Sequence, residues 1–327
     1  MKIFLPFEMR DIGGTATFAK KFSDAAQENG ISISNSLSSD FDTLFIIADC
    51  SLWYPIITKI LRKKIVQRLD GVYHPATPAG KWYPLYNLKM QIIHNYLADV
   101  VIYQSKFSKL SCEKFLGKTR AAKTTIIYNG VDTEKIPKKA TSHSDGVPTK
   151  LLTFAKFRRR DQIEPIIESV KLLDSKKFTL DIYGSYTENL KDLFENLPDH
   201  MLFRGKKSNE ALLQILHQYD IFLFSDQSAC PNSVIEAMAA GLPVVAFNRG
   251  SISELLQNGE TGYYVKMIDH DPFNNLYPFD LRCYADFSHK ISQATGRLNQ
   301  LSSQAYQIAK FDFDTKMMIS KYKEFFI

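Results

Sequence analysis

Short apolar runs alternate with segments of helical periodicity through the first part of the chain. The runs have strand length, and the first two are separated by a helical pattern of apolar positions over residues 15–29. Continuous apolar strands joined by helical crossovers are typical of parallel sheets covered by helices on both faces. A doubly wound α/β domain is therefore predicted. The runs are residues 2–6, 44–48, 65–69, 100–104 and 124–128.

A polar segment separates this pattern from a second copy of it. Residues 135–150 are rich in Lys, Ser, Thr and Pro and have no apolar period, which is the composition of a solvated linker. We therefore predict a boundary between residues 145 and 146, followed by a second doubly wound domain. Its predicted strands are residues 151–155, 178–183, 221–224 and 244–247, and its helices are residues 163–173, 209–218 and 232–240. Residues 287–326 have helical periodicity with a break at 311–314, which predicts two closing helices.

Composition and charge exclude several classes of protein. A chain of 327 residues exceeds what one core usually organises, so two cores are expected. The formal net charge of +6 is mild and scattered, without a nucleic-acid-binding motif, so phosphates, acidic glycans or an anionic membrane are expected partners rather than nucleic acid. No C-x-x-C pair is present, which predicts reduced thiols and no metal cluster. The sequence has neither a signal peptide nor a membrane span, so we expect a cytoplasmic protein.

A glycine pair follows the first predicted strand. Gly13 and Gly14 open the first helix, where missing Cβ atoms allow backbone N–H groups to approach an anion. The pair is a candidate cradle for a diphosphate, although it does not complete a G-x-G-x-x-G dinucleotide motif. Tight packing at a strand–helix turn explains it equally well.

The segment over residues 228–256 carries more information. Pro231, Asn232 and Ser233 start a predicted helix, where Asn232 is a good cap and backbone N–H groups can face a nucleotide. Glu236 lies one turn inside, and a carboxylate there can accept hydrogen bonds from the two vicinal hydroxyls of a ribose. The alternative is that Glu236 only caps or pairs, within ordinary α/β packing.

Several motifs of the chain together resemble a known family. Residues 236–239 (EAMA) and 241–245 (GLPVV) are similar to the donor-binding signature of retaining GT-B glycosyltransferases of family 4, of the kind that builds bacterial surface polysaccharides. Residues 103–109 and 126–136 resemble the last elements of that family's amino-terminal domain, and residues 258–265 resemble the turn and strand after the signature. The resemblance implies two Rossmann-like domains, residues 1–145 and 146–311, facing a central cleft. It also implies that a last helix, about residues 312–327, returns to the first domain.

The resemblance also implies roles for individual residues. Glu236 is expected to hold the ribose of a sugar nucleotide, while Gly13 and Gly14 face its diphosphate. The family places an Arg and a Lys against the diphosphate after the strand at 151–155. Here that region contains Arg158 and Arg160, which we expect in this role in that order, although neighbouring arginines on a loop are as often simply solvated.

Asp70 follows the predicted strand at 65–69, where many relatives carry a histidine near the reacting sugar. A carboxylate at this position can orient the acceptor hydroxyl or stabilise positive charge at the anomeric carbon. His74 is the second candidate for the role. A plain turn residue before Gly71 explains Asp70 equally well.

Two positions depart from the family pattern. Ser228 occupies the first acidic position of the signature, whose carboxylate commonly contacts the donor sugar, and Asp226 is a possible substitute. Asp161 stands where a lysine is common. Serine keeps a hydrogen bond but loses the charge, so the contacts to the sugar or the sugar itself are expected to differ.

The predicted activity is transfer of a sugar from a nucleotide-diphosphate sugar, linked to UDP or GDP, to a hydroxyl with retention of configuration. No metal or other cofactor is expected to be obligatory, because basic groups and helix N-termini can stabilise the leaving diphosphate. The expected acceptor is a growing glycan or a lipid-linked glycan. The basic residues 59–64 beside apolar 53–57 and aromatic 82–83 could bring the protein to the inner membrane surface, or these aromatics are core. A sugar-nucleotide epimerase and a non-catalytic partner of a glycosyltransferase remain as alternatives.

Overall fold

The computed structural model describes residues 1–7, 14–37, 40–77, 79–139, 146–267, 271–274 and 277–326. Two parallel sheets and the helices around them account for most of these residues. The strands are β1 (Lys2–Phe4), β2 (Ser32–Ser34), β3 (Thr43–Ile47), β4 (Lys64–Leu69), β5 (Val100–Tyr103), β6 (Lys123–Ile126), β7 (Thr149–Phe157), β8 (Phe178–Tyr186), β9 (Met201–Gly205), β10 (Ile221–Phe224), β11 (Val244–Phe247) and β12 (Gly262–Val265). The α-helices are α1 (Gly14–Glu28), α2 (Trp53–Ile60), α3 (Tyr83–Ile92), α4 (Lys106–Phe115), α5 (Glu164–Lys171), α6 (Lys191–Glu195), α7 (Asn209–Leu213), α8 (Asn232–Ala239), α9 (Ile252–Leu255), α10 (Leu281–Thr295), α11 (Leu298–Asp312) and α12 (Thr315–Phe326).

The chain forms two compact units. Unit 1 consists of Met1–Gly130, Phe273–Asn275 and Thr315–Ile327, and unit 2 consists of Val131–Pro272 and Leu276–Asp314. The chain passes from one unit to the other at Gly130, whereas the sequence placed the boundary in the polar segment near residue 145. The segment following Gly130 still packs within unit 2, where Lys139 forms an ion pair with Asp220 and donates to the carbonyl of Tyr219.

Unit 1 is a parallel sheet with the strand order β2-β1-β3-β4-β5-β6. All five residues of β3 and the last five of β4 are buried, as expected for strands covered by helices on both faces. The sheet therefore has a core on each side, one with Phe22 and Phe45 and the other with Phe4 and Tyr103. The order reverses between β1 and β3, and ligands of open parallel sheets bind at the carboxyl ends of the strands beside such a reversal.

The last helix, α12, completes unit 1. Tyr322 and Phe326 pack against Phe22 and Phe45 in one of the two cores. Gly130 lies against the start of α12, and a Cβ at this position would lie 2.8 Å from the Cα of Thr315. Glycine is required here for close approach of two backbones, since its φ angle is not positive.

Unit 2 is a second parallel sheet, with the order β12-β11-β10-β7-β8-β9. Starting from β7, this is the 3-2-1-4-5-6 order of a Rossmann fold, with the reversal between β7 and β10. Buried residues of α10, including Phe287 and Ile291, pack on this sheet. The sequence predicted two closing helices, but three form, because a break at Gly296 and Arg297 separates α10 from α11. Among the described residues, no helix is both long and apolar enough to cross a bilayer.

Candidate functional site

The loops after β7, β10 and β11 meet at the carboxyl edge of unit 2. β10 pairs with both β7 and β11, so the three strands end side by side. The first loop carries Arg158 and Asp161, the second carries Ser225 and Ser228, and the third carries Arg249. This is the reversal point of the sheet, where a Rossmann fold binds its ligand. Arg158 and Ser228, two of the predicted residues, are therefore on loops at this edge.

Side-chain hydrogen bonds fix the loop after β7. Gln162 accepts hydrogen bonds at Oε1 from the backbone N–H groups of Arg158, at 2.7 Å, and Arg159, at 3.2 Å. Ser225 donates to the carbonyl of Asp161 at 2.7 Å, which ties this loop to the end of β10. The loop is thus held in one conformation before any ligand binds.

Asp161 is the centre of a charge network at this edge. Arg159 forms two hydrogen bonds to its carboxylate, Nε to Oδ1 at 2.9 Å and Nη2 to Oδ2 at 3.1 Å. Arg249 donates from Nη1 to Oδ2 at 2.9 Å, and Arg159 also reaches Asp226 at 2.9 Å. Burial raises the pKa of Asp161, but the hydrogen bonds and charges of the two arginines outweigh it and hold the pKa below its usual value. Asp161 is therefore ionised at neutral pH and anchors two cations.

The three consecutive arginines have different surroundings. Arg160 pairs with Glu164 and Asp192, whose hydrogen bonds raise its pKa. Arg158 is exposed, and among the described residues its guanidinium has no hydrogen bond or ion pair. Lys156, which the sequence analysis did not select, is exposed near the end of β7. Arg158 and Lys156 are thus the cations of this loop with most freedom to meet an anion, while Arg160 is held by two carboxylates.

Ser228, which replaces the signature's first acid, is held through its backbone. Ser251 donates its N–H to the carbonyl of Ser228 at 3.0 Å. Gly250 packs so closely that a Cβ would lie 2.7 Å from the nitrogen of Ser228, and closer still to its carbonyl oxygen. The φ of Gly250 is +61°, a second reason for glycine. The loop after β11 thus fixes the position of Ser228.

Helix α8 carries the rest of the predicted donor site. Its cap is Pro231, so Asn232, expected as the cap, is instead the first helical residue; no side chain caps the helix. Ser233 is half-buried in the first turn. Glu236 is only 2% exposed, although its neighbours on the helix are apolar. Burying a carboxylate is costly unless partners stabilise it, and a buried carboxylate in a helix that starts at a ligand-binding edge is a candidate functional residue.

In unit 1, Asp70 lies directly after β4 and forms an ion pair with Arg68. Arg68 is fully buried, with its guanidinium 3.5 Å from the ring centre of Phe18, and donates to Asn129 at 2.6 Å and Gln104 at 3.2 Å. Thr15, in the first turn of α1, donates to Asp70 at 3.1 Å. Asp70 therefore lies beside the start of α1 and also neutralises a buried arginine that sequence reasoning missed.

The remaining candidates of unit 1 have fewer described contacts. Gly13 lies outside the described residues, and Gly14 begins α1. His74 is half-buried and its ring stacks on Phe115, 5.5 Å between centres. Among the described residues, no group of three or more His, Cys, Asp and Glu side chains is placed to hold a metal ion.

Known proteins share both the fold and the signature region. Anabaena HepE, whose crystal structure contains UDP, superposes with a TM-score of 0.72 at 17% identity, covering 99% of this chain and 98% of HepE. Sucrose-phosphate synthase from Thermosynechococcus elongatus gives 0.75 at 14% identity, covering 99% and 97%. The chain is therefore an α/β protein of the GT-B class, which confirms the predicted fold class.

A family model matches a region that lies mainly in the second unit. Residues 148–275 match the family model described as "Glycosyl transferases group 1". The amylovoran biosynthesis glycosyltransferase AmsK of Erwinia amylovora is 26% identical over 175 residues, 50% of this chain and 41% of AmsK. Sulfoquinovosyl transferase SQD2 of Arabidopsis thaliana is 30% identical over 161 residues, 45% of this chain and 31% of SQD2. The chain thus covers less than half the length of these relatives. Residues 148–275 are therefore similar to group 1 glycosyl transferases, and the resemblance seen in the sequence is confirmed at that level.

Proposed function

We propose that this protein is a glycosyltransferase that moves a sugar from a nucleotide-diphosphate sugar to a hydroxyl of a growing or lipid-linked glycan, with retention of configuration. The observation that carries the proposal is the almost complete burial of Glu236 in a helix that starts at the ligand-binding edge of a Rossmann sheet. HepE crystallised with UDP supports a uridine nucleotide as the first donor to test.

The described residues suggest how the two ends of the donor are bound. Glu236 would accept hydrogen bonds from the ribose hydroxyls, while the backbone of Asn232 and Ser233 and the side chain of Arg158 would meet the diphosphate. These groups stabilise the negative charge that develops on the leaving diphosphate as the glycosidic bond breaks. Ser228 would contact the sugar as a neutral hydrogen-bonding group, and Asp70 would orient the acceptor hydroxyl.

Binding of UDP, GDP and ADP to the wild-type protein tests the donor site directly. We expect a dissociation constant for at least one of them to be measurable by calorimetry. Glu236→Gln should weaken it by about 10-fold or more, because a carboxylate that accepts two hydroxyl hydrogen bonds is lost. Glu168→Gln on α5, a helix of the same unit, is the matched control and should bind normally. No binding of any of the three to wild type would refute the proposal, and normal binding by folded Glu236→Gln would remove Glu236 from the site.

Product analysis separates transfer from the two alternatives. A transferase consumes donor only when a hydroxyl acceptor is present, whereas an epimerase converts the donor alone and a non-catalytic partner converts nothing. Once an acceptor is found, NMR of the new linkage should show the anomeric configuration of the donor. An inverted linkage would contradict retention.

A surface of unit 1 supports a peripheral position at the inner face of a membrane. Residues 53–98 contain seven Lys and Arg and one acid, Asp70. Arg68 is buried and paired with Asp70, and Lys59 pairs with the adjacent Asp99, so the basic character of the surface comes mainly from the other five. Trp53 and Trp82, which the sequence left open as core, are 60% and 62% exposed, and Ile60 and Leu85 are 71% and 67% exposed. Large exposed apolar side chains among basic residues are typical of proteins that bind anionic bilayers.

Vesicle sedimentation tests this placement. We expect binding to vesicles that contain phosphatidylglycerol, weaker binding to neutral phosphatidylcholine, and loss of binding in Ile60→Ser/Trp82→Ser. Leu281→Ser/Phe311→Ser removes two similarly exposed apolar residues of unit 2, 79% and 65% exposed, and serves as the control. Equal binding by both double variants would refute the assignment of this surface.

A further inference from the structure

Arg249 is a buried cation at the ligand-binding edge of unit 2. It is 6% exposed, and its Nη1 donates to Asp161 at 2.9 Å and to the carbonyl of Ser225 at 3.0 Å. Its Nε is also buried and has no hydrogen-bond partner among the described residues. A guanidinium has five N–H donors, so two hydrogen bonds from Nη1 leave the Nε side of the group unsatisfied.

An unsatisfied buried charge is costly, and its position shows where the missing partner belongs. Removing a charged donor from water without giving it a hydrogen-bond partner costs free energy, and native structures rarely contain a buried charged donor that lacks a partner. Arg249 lies in the loop directly after β11, beside the reversal point of the sheet. The next residue, Gly250, packs on the backbone of Ser228. The incomplete cation is therefore next to the predicted sugar-nucleotide site rather than on a distant surface.

The ligand-binding edge of unit 2 also carries a carboxylate, Asp161, which alone would repel a diphosphate. This carboxylate is instead bound by Arg249 and Arg159. Asp161 thus brings two guanidinium groups together at this edge.

We propose that Arg249 supplies, from the loop after β11, a second positive charge that binds the donor's diphosphate beside Arg158, and that Asp161 is a positioning residue that holds the Arg249 guanidinium in place. The assignment rests on the proposed function, because it requires a nucleotide-diphosphate donor. Arg249 contacts Asp161 through Nη1 and keeps its Nε side for a phosphate oxygen. The planar guanidinium can bind two anions at once, which a lysine ammonium does with less geometric control.

Substitution of both members of the Arg249–Asp161 ion pair tests the proposal. Arg249→Gln/Asp161→Asn removes both charges, so no unpaired buried charge remains to unfold the protein. Arg249→Gln/Asp161→Lys returns a cation to position 161. Arg204→Gln/Asp181→Asn is the matched control, since Arg204 and Asp181 form an ion pair of the same 2.9 Å length on β9 and β8, outside the site. Calorimetry with UDP and with UMP measures binding, and thermal melting verifies that each variant is folded.

The expected result is specific to the second phosphate. The neutral pair, Arg249→Gln/Asp161→Asn, should bind UDP about 10-fold or more weakly than wild type. Its affinity for UMP should fall by less, because a charge-assisted hydrogen bond to the diphosphate is lost. The lysine variant should recover most of the UDP affinity, and the control should bind like wild type. Unchanged UDP affinity in a folded neutral pair would overturn the assignment, as would a lysine variant that binds no better than the neutral pair.

Two further outcomes are also decisive. If the neutral pair does not fold, Arg249→Gln alone decides, because Asp161 keeps its ion pair with Arg159: UDP binding weakened by about 10-fold supports the assignment, and wild-type affinity overturns it. If wild type binds UDP and Glu236→Gln does not, while the Arg249 variants are normal, the proposed function stands and only this inference fails. If wild type binds no nucleoside diphosphate, both fail together.

Discussion

Gly250→Ala should reveal how much of the donor site depends on one backbone contact. The new Cβ would meet the nitrogen of Ser228 at 2.7 Å and approach its carbonyl oxygen more closely, in a residue with φ of +61°. The left-handed conformation costs alanine about 1–2 kcal/mol. Forcing backbone apart in a packed region adds about 1–3 kcal/mol. The total loss of unfolding free energy is therefore about 2–5 kcal/mol.

Gly259→Ala separates the cost of the left-handed backbone conformation from the cost of the steric contact with Ser228. Gly259 also has a positive φ, +85°, but a Cβ there meets only the ring of Tyr263 at 3.9 Å, which is ordinary contact. This variant should lose only the conformational term. The stability difference between the two variants is then about 1–3 kcal/mol, which for a unit of this size corresponds to roughly 2–12 °C in melting temperature.

Differential scanning calorimetry measures the difference, and nucleotide binding provides a second readout. Because Gly250 fixes the position of Ser228, its alanine variant should also bind a sugar nucleotide more weakly than the Gly259 variant. Equal melting temperatures for the two variants would refute the argument that the Ser228 contact requires glycine.

Two further predictions concern buried charges. Arg68→Met should cost about 3–5 kcal/mol of unfolding free energy in urea titrations, because Asp70 loses its buried partner. Arg68→Met/Asp70→Asn should recover part of this loss. A single variant as stable as wild type would contradict the argument. Asp161 has a lowered pKa in the folded protein, so its stabilisation is present above the unfolded pKa of about 3.9 and disappears as the pH falls through the lower folded value. The stability gap between wild type and Asp161→Asn should therefore be full above about pH 5 and close in more acidic solution, and a gap independent of pH would exclude this linkage.

Local patterns predicted most strands of both sheets and several of the helices around them, but not β2, β9, α2 or α3. The strands at 221–224 and 244–247 have the bounds that the sequence indicated, since both are wholly apolar and lie between clear turn residues. β2 was missed because it is a three-residue edge strand with two serines, and its strand geometry comes from pairing with β1. The third closing helix was missed because helical periodicity continues on both sides of Gly296.

The candidate site was predictable only where a motif is local. Glu236 and the start of α8 lie within one continuous segment, and the resemblance of that segment to a known family selected them. The pairing of Asp161 with Arg249 joins residues 88 positions apart, and no local pattern encodes it. Arg68 was missed for a related reason: it lies in an otherwise apolar strand, and its partners Gln104 and Asn129 come from later in the chain. A charged residue inside a buried strand, or in the loop after one, is the signal that would have found both arginines.

The return of α12 to unit 1 has a consequence for how the protein is made. A ribosome releases β1 to β6 long before α12, so Phe22 and Phe45 lack the Tyr322 and Phe326 side chains that cover them in the finished molecule. Unit 2, by contrast, is continuous in synthesis apart from one short excursion. The nascent first unit therefore emerges with an incomplete core that is open to chaperones, and unit 2 is able to finish folding before it.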